Sequence, residues 1–220
     1  MPVSFQIVVS LCYTILMNPQ NLAYGTITLI VIVGLFFFLN NGGKDIVNFP
    51  NDRVGIVMFG DSLIAGNGST KGNSLPEQLG QQINRPVLNL GVPGDTTIDG
   101  VARVDEIPQD ARLVIINLGG NDALKRIPEE ITLRNMRRMV TQIQENGSIV
   151  MIISVRNGLL VGTFDNEYES IARETGALYM PNLLKGLFGE STYMDDAIHP
   201  NDLGYSIITD RIVEVIEDYI

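Results

Sequence analysis

Three residue types that together cleave acyl bonds occur in this chain where each can be given a job. Ser62 follows a short apolar run, residues 54–59, closed abruptly by Gly60. Such a run reads as a buried parallel strand, and a serine just past its carboxyl end stands where open α/β sheets bind ligands. His199 is the only histidine. Asp196 precedes it by three residues, a spacing that brings a carboxylate to one ring nitrogen while the other faces a hydroxyl. The imidazole would then take the serine proton, and the carboxylate would fix the tautomer and stabilise the imidazolium. Asp195 competes for that role and ranks below Asp196.

Negative charge developing on a substrate oxygen needs donors. The N–H of Ser62, the N–H of Gly94 and the side-chain amide of Asn121 lie on three turns, each after an apolar run. A glycine at position 94 also lets the backbone approach a ligand closely. Each feature alone has a plainer reading, since Gly-Asp-Ser is a common turn and a lone histidine is more often structural. Together they favour nucleophilic catalysis. Asp61 and Asp122 read as loop residues bonded to turn backbones, without a chemical step.

The elements that must position these residues alternate strand and helix five times. The predicted strands lie at 53–59, 86–90, 112–118, 148–155 and 176–180, the second as buried as the first. Ser74 with Glu77 offers a capping box for a helix to about 84, and another helix starts near Thr96 or Thr97. A long helix opens at 127–130 and stops at Gly147, with Ile131, Met136, Val140 and Ile143 on one face. Further helices are predicted at 164–175 and after Asn201, the last burying Leu203, Ile207, Ile208, Val215 and Ile216. This alternation calls for an α/β fold with a parallel sheet covered on both faces.

Ahead of this domain, residues 22–39 form an uncharged run of eighteen, about 27 Å long as a helix and close to the hydrocarbon thickness of a membrane. A shorter run at 3–17 makes a helical hairpin the alternative to a single span. No cation precedes the runs and no small-residue cleavage site follows, so the segment reads as a retained anchor rather than a signal peptide. Lys44 and Arg53 are too few to orient it. The expected organisation is an anchor at 1–41, a polar linker at 42–52 and a catalytic domain at 53–220. The formal charge of −10 argues against nucleic acid as a partner. Cys12, the single cysteine, has no internal disulfide partner and excludes four-ligand cysteine zinc sites by count.

Gly60-Asp61-Ser62-Leu63, Gly94, Gly119-Gly120-Asn121-Asp122 and Asp196-x-x-His199-Pro200 resemble, in order and spacing, the four blocks of the SGNH, or GDSL, hydrolases. The likeness covers the whole of 53–220 and is strongest to the small bacterial thioesterases, arylesterases and lysophospholipases. It implies a flavodoxin-like three-layer α/β/α sandwich around a five-stranded parallel sheet. It also implies Ser62, Asp196 and His199 as the catalytic triad, with Ser62, Gly94 and Asn121 as the oxyanion hole, and no metal or cofactor. The implied function is a serine esterase acting on acyl esters or thioesters; the retained anchor, where secreted relatives usually carry a cleavable signal, departs from the family and is expected to hold it in a bacterial inner membrane on a side the sequence leaves open. An acyltransferase or deacetylase of envelope carbohydrate is the second reading, and a non-catalytic tethered binding module the third. Residues 159–164 offer an apolar wall for an acyl chain, or a loop packed on the core. Oligomeric state is not readable.

Overall fold

The computed structural model describes residues 45–155 and 164–220. The uncharged runs at 3–17 and 22–39, and the 159–164 stretch apart from Phe164, lie outside them. The chain divides into two units, 1–43 and 44–220, and all described residues belong to the second. Among the described residues no helix is long and apolar enough to cross a membrane.

In chain order, β1 (Gly55–Gly60) leads into the one-turn helix α1 (Ser62–Ala65), followed by α2 (Leu75–Gln82), β2 (Val87–Gly91) and α3 (Thr97–Arg103). Next come β3 (Ala111–Asn117), the short α4 (Gly120–Leu124), α5 (Glu129–Glu145) and β4 (Ile149–Ile153). The chain ends with α6 (Asp165–Thr175), β5 (Leu178–Met180) and α7 (Asp202–Ile216). Local chemistry sets several of the starts. Ser74 and Glu77 close the expected capping box ahead of α2, Thr96 and Asp99 close another ahead of α3, and Asn201 caps α7.

The five strands form one parallel sheet in the order β2-β1-β3-β4-β5. Alternate strand residues feed two cores. Met58, Leu113, Ile115 and Met151 pack with α1, α2 and α7, while Val57, Phe59, Val114, Ile116 and Ile152 pack with α3, α5 and α6. Burying each such aliphatic side chain contributes roughly 1.5–3 kcal/mol, so the central strands hold the frame on which the site is built.

The strand order reverses between β1 and β3, and a crevice outside the carboxyl ends of the strands is expected at such a reversal. The register aligns those ends, with Gly60 opposite both Gly91 and Asn117. A side chain at position 60 would put its Cβ 2.4 Å from the Asn117 carbonyl oxygen, so only glycine permits this approach just before the serine.

Two expectations are corrected. β2 is an edge strand with one neighbour, so it is not buried like β1, and Leu88 is exposed. The buried seam of α7 runs through Tyr205, Ile208, Ile212 and Ile216 rather than starting at Leu203, which is exposed at 50 %. Tyr205 draws the seam around because its ring fills the core while its hydroxyl donates to the Asn67 carbonyl at 2.8 Å. Residues 45–52, the described part of the expected short linker, make bonds to the domain. The Asn48 amide donates to the carbonyls of Gln144 and Ser148, the Val47 N–H to Gly176, and the Phe49 ring meets Tyr219 edge-on.

Candidate active site

Three turns at the carboxyl edge build the site. After β1, Asp61 caps α1 by accepting the Leu63 N–H at 3.0 Å, which sets Ser62 as the first helical residue. After β3, Gly119 takes a φ of 115° and turns the chain into α4, which carries Asn121. Before α7, the chain doubles back through a bridge between Met194 and Pro200, and the Asp195 N–H donates to the His199 carbonyl. Within that loop one Asp196 oxygen accepts the backbone N–H groups of Ile198 and His199, both at 2.8 Å. The other oxygen is thereby aimed at the imidazole.

The result is a continuous chain of polar contacts. His199 Nε2 lies 3.0 Å from Ser62 Oγ, and Nδ1 lies 2.7 Å from Asp196 Oδ2. An ionised carboxylate only accepts, so Nδ1–H donates to Asp196 and the lone pair of Nε2 faces the serine O–H. Of the two carboxylates that the sequence offers, Asp196 is the one bonded to the ring.

Ser62 and His199 open on a notch of about 30 Å³, lined also by Asp61, Leu63, Gly120, Asn121, Leu124 and Ile198. That is room for little more than a single water or a carbonyl oxygen. The Asn121 amide donates to the Asp95 carbonyl at 2.9 Å and to Asp61 Oδ2 at 3.2 Å. Gly94 is not part of this lining. It lies one residue before Asp95 on the turn after β2, with φ 88°, and its carbonyl accepts Lys125 Nζ at 2.8 Å. No heavy atom lies within 4 Å of a Cβ built there, so glycine is required by the backbone angle rather than by crowding.

The sequence profile described as the GDSL-like Lipase/Acylhydrolase family matches residues 58–207, from within β1 through the histidine turn and into α7. The chain belongs to this family. It is 29 % identical over 160 residues to an arylesterase of Vibrio mimicus, covering 66 % of this chain and 79 % of that one. It is 26 % identical over 172 residues to thioesterase 1/protease 1/lysophospholipase L1 of Escherichia coli (strain K12), covering 74 % and 83 %. Among solved structures, TesA superposes with a TM-score of 0.70 at 22 % identity, covering 76 % of this chain and all of that one.

Several contacts that shape this GDSL-like site carry no sequence signal. The Arg103 guanidinium pairs with Asp95 at 2.6 Å, donates to the carbonyls of Leu90 and Gly60, and stacks over the Phe59 ring. It therefore ties the ends of β1 and β2 together beneath the serine turn. Asp122 is fully buried and accepts from the Thr97 N–H and from the hydroxyls of Thr97 and Thr132. That is the backbone-bonding role expected of it. Asp202 accepts from the N–H and hydroxyl of Thr70, joining the loop after the serine to the helix after the histidine.

Among the described residues no three metal-ligating side chains cluster. Partial desolvation pushes Asp196 up, but its bond to His199 and the two backbone N–H groups outweigh this and hold it at about 2. Burial pushes Asp61 the other way, to about 7, against the Leu63 N–H and His199, with Asp95 and Asp122 adding to the rise.

The signs give opposite pH dependences. A depressed folded value for Asp196 means its stabilising contribution is present above its ordinary value of 3.8 and lost as pH falls through about 2. In urea unfolding, the stability gap between wild type and Asp196→Asn is therefore expected to be open near neutrality and to narrow between about pH 4 and pH 2. A gap independent of pH over that range would show that the ionised carboxylate adds nothing to the fold.

Proposed function

We propose that this chain is a serine esterase that hydrolyses acyl esters or thioesters through an acyl-enzyme on Ser62. The observation that carries the reading is the pair of bonds placing His199 between Ser62 and Asp196, 3.0 Å and 2.7 Å on its two sides. Membership of an acylhydrolase family and likeness to an arylesterase and a thioesterase support it.

In the proposed reaction Ser62 Oγ attacks the acyl carbon while its proton passes to His199 Nε2, and Asp196 stabilises the imidazolium. The carbonyl oxygen becomes an oxyanion, for which the N–H of Ser62, the N–H of Gly94 and the amide of Asn121 are the proposed donors. As the intermediate collapses, His199 gives its proton to the leaving alkoxide or thiolate and the acyl group stays on Ser62. Water then attacks that ester, losing its proton to His199, and the acid departs as Ser62 recovers its hydrogen. The notch holds the reacting carbonyl, while Leu124, 52 % exposed, and Ile198 give its rim an apolar side for the remainder of the acyl group.

We also read the helices on both faces of the sheet as the flavodoxin-like three-layer arrangement. The organisation of an anchor at 1–41, a short connection at 42–52 and the catalytic domain at 53–220 is retained, with the domain held at a bacterial inner membrane. The uncharged runs ahead of residue 41 support the anchor.

The test is a chain-length series of p-nitrophenyl esters and acyl thioesters presented to the full-length protein. Steady turnover, with thioesters and oxygen esters both accepted, is expected. A folded protein inert toward every member would reject the reading.

A further inference from the structure

We propose that Asp61 is a positioning residue of this site, its carboxylate setting the Asn121 amide so that the nitrogen end faces the notch beside Ser62. The inference rests on the esterase reading above and adds a residue to which the sequence assigned only a turn.

A primary amide has a donor end and an acceptor end of nearly the same shape, so something must decide which end faces the substrate. Here two groups flank the nitrogen. The Asp95 carbonyl takes one hydrogen at 2.9 Å and Asp61 Oδ2 the other at 3.2 Å. The Asp95 carbonyl is a pure acceptor, and so is Asp61 once ionised, above about 7, so neither then tolerates the oxygen end. Two acceptors also fix the plane of the amide, where one would leave it free to rock about a single bond.

The bond to Asp61 is the longer of the two and lies at the notch, so its hydrogen is the one a developing oxyanion can share. Asp61 is itself held. It is 4 % exposed, and its other oxygen accepts the Leu63 N–H at 3.0 Å, in the helix that begins with Ser62. One side chain thus registers the nucleophile and the oxyanion donor against each other across 60 residues of chain. The titratable groups facing it are His199 from the loop before α7, Asp95 from the turn after β2 and Asp122 from α4. Asp95 is neutralised by Arg103. Burying a carboxylate with two hydrogen bonds and two acidic neighbours opposes folding, which a turn residue replaceable by serine or threonine would avoid. A positional role accounts for its presence.

Asp61→Ser separates the two jobs, because a serine still caps α1 through the Leu63 N–H but is too short to reach Asn121. In the full-length protein with p-nitrophenyl acetate, kcat is expected to fall about 10–100-fold with KM within about twofold, the size of a misplaced rather than absent donor. If Asp61 acts through Asn121, the effects do not multiply: adding Asp61→Ser to Asn121→Ala should change kcat by less than about threefold. Should the serine variant not fold, Asp61→Asn gives the same reading, because its single acceptor serves Leu63 or Asn121 but not both. A wild-type kcat in either folded variant, or losses that multiply in the double variant, would overturn the proposal. So would an Asn121→Ala protein of wild-type rate. With Ser62→Ala inactive, any of these results leaves the esterase reading intact.

Discussion

Replacing Ser62 with alanine is expected to lower ester turnover by about 10⁴-fold or more while leaving the unfolding midpoint close to wild type. The size follows from the chemistry removed. Without Oγ no acyl-enzyme forms, and hydrolysis must proceed by direct attack of water, which is held by nothing comparable. The small effect on folding follows from the surroundings. Ser62 is half-buried on the lip of the notch, its side chain bonds to His199, and the capping of α1 is done by Asp61. Steady-state kinetics on p-nitrophenyl acetate, with urea melting of the same preparations, measures both quantities. A variant retaining more than a few per cent of wild-type turnover would show that another group carries the acyl transfer.

His199→Ala should be nearly as damaging, about 10⁴-fold or more in kcat, because the nucleophile and its base act as a unit. The chain has no second histidine to substitute. Removing the ring also strands Asp196 Oδ2, although that carboxylate is 51 % exposed and keeps its two backbone bonds, so the loop is expected to hold its shape. The space vacated beside Ser62 suggests a sharper readout than loss alone. Added imidazole should restore part of the rate in His199→Ala and none in Ser62→Ala. Near-normal turnover without imidazole would remove His199 from the mechanism.

The parts of this molecule that were legible in the sequence are those determined by neighbours along the chain. The capping box at Ser74, the start near Thr96 or Thr97 and the cap at Asn201 placed three helix starts, because the capping partners lie within three residues. The contact of Asp196 with His199 is likewise a three-residue matter, and Ser62 is placed by the strand that ends two residues before it. What the sequence concealed depends on neighbours in space. The apolar pattern of β2 is that of a strand, but its exposure follows from standing at the sheet edge, which only the strand order reveals. The buried face of α7 turns on Tyr205, whose hydroxyl finds its partner 138 residues away. Asp61 reads as a turn former, and its bond to Asn121 spans 60 residues with no periodicity to announce it. Gly94 was legible as a glycine position, while its left-handed backbone angle of φ 88° was not.

The claim on which these expectations converge is that the hydroxyl of Ser62, activated by His199, is the atom that takes the acyl group. It is tested most directly by treating the full-length protein with a fluorophosphonate and locating the adduct by peptide mass spectrometry. Stoichiometric modification of Ser62 with parallel loss of esterase activity is expected, with strongly slowed labelling in His199→Ala and none at that site in Ser62→Ala. Activity that disappears while Ser62 stays unmodified, or a labelled Ser62 in a protein that still turns over ester at the wild-type rate, would contradict it.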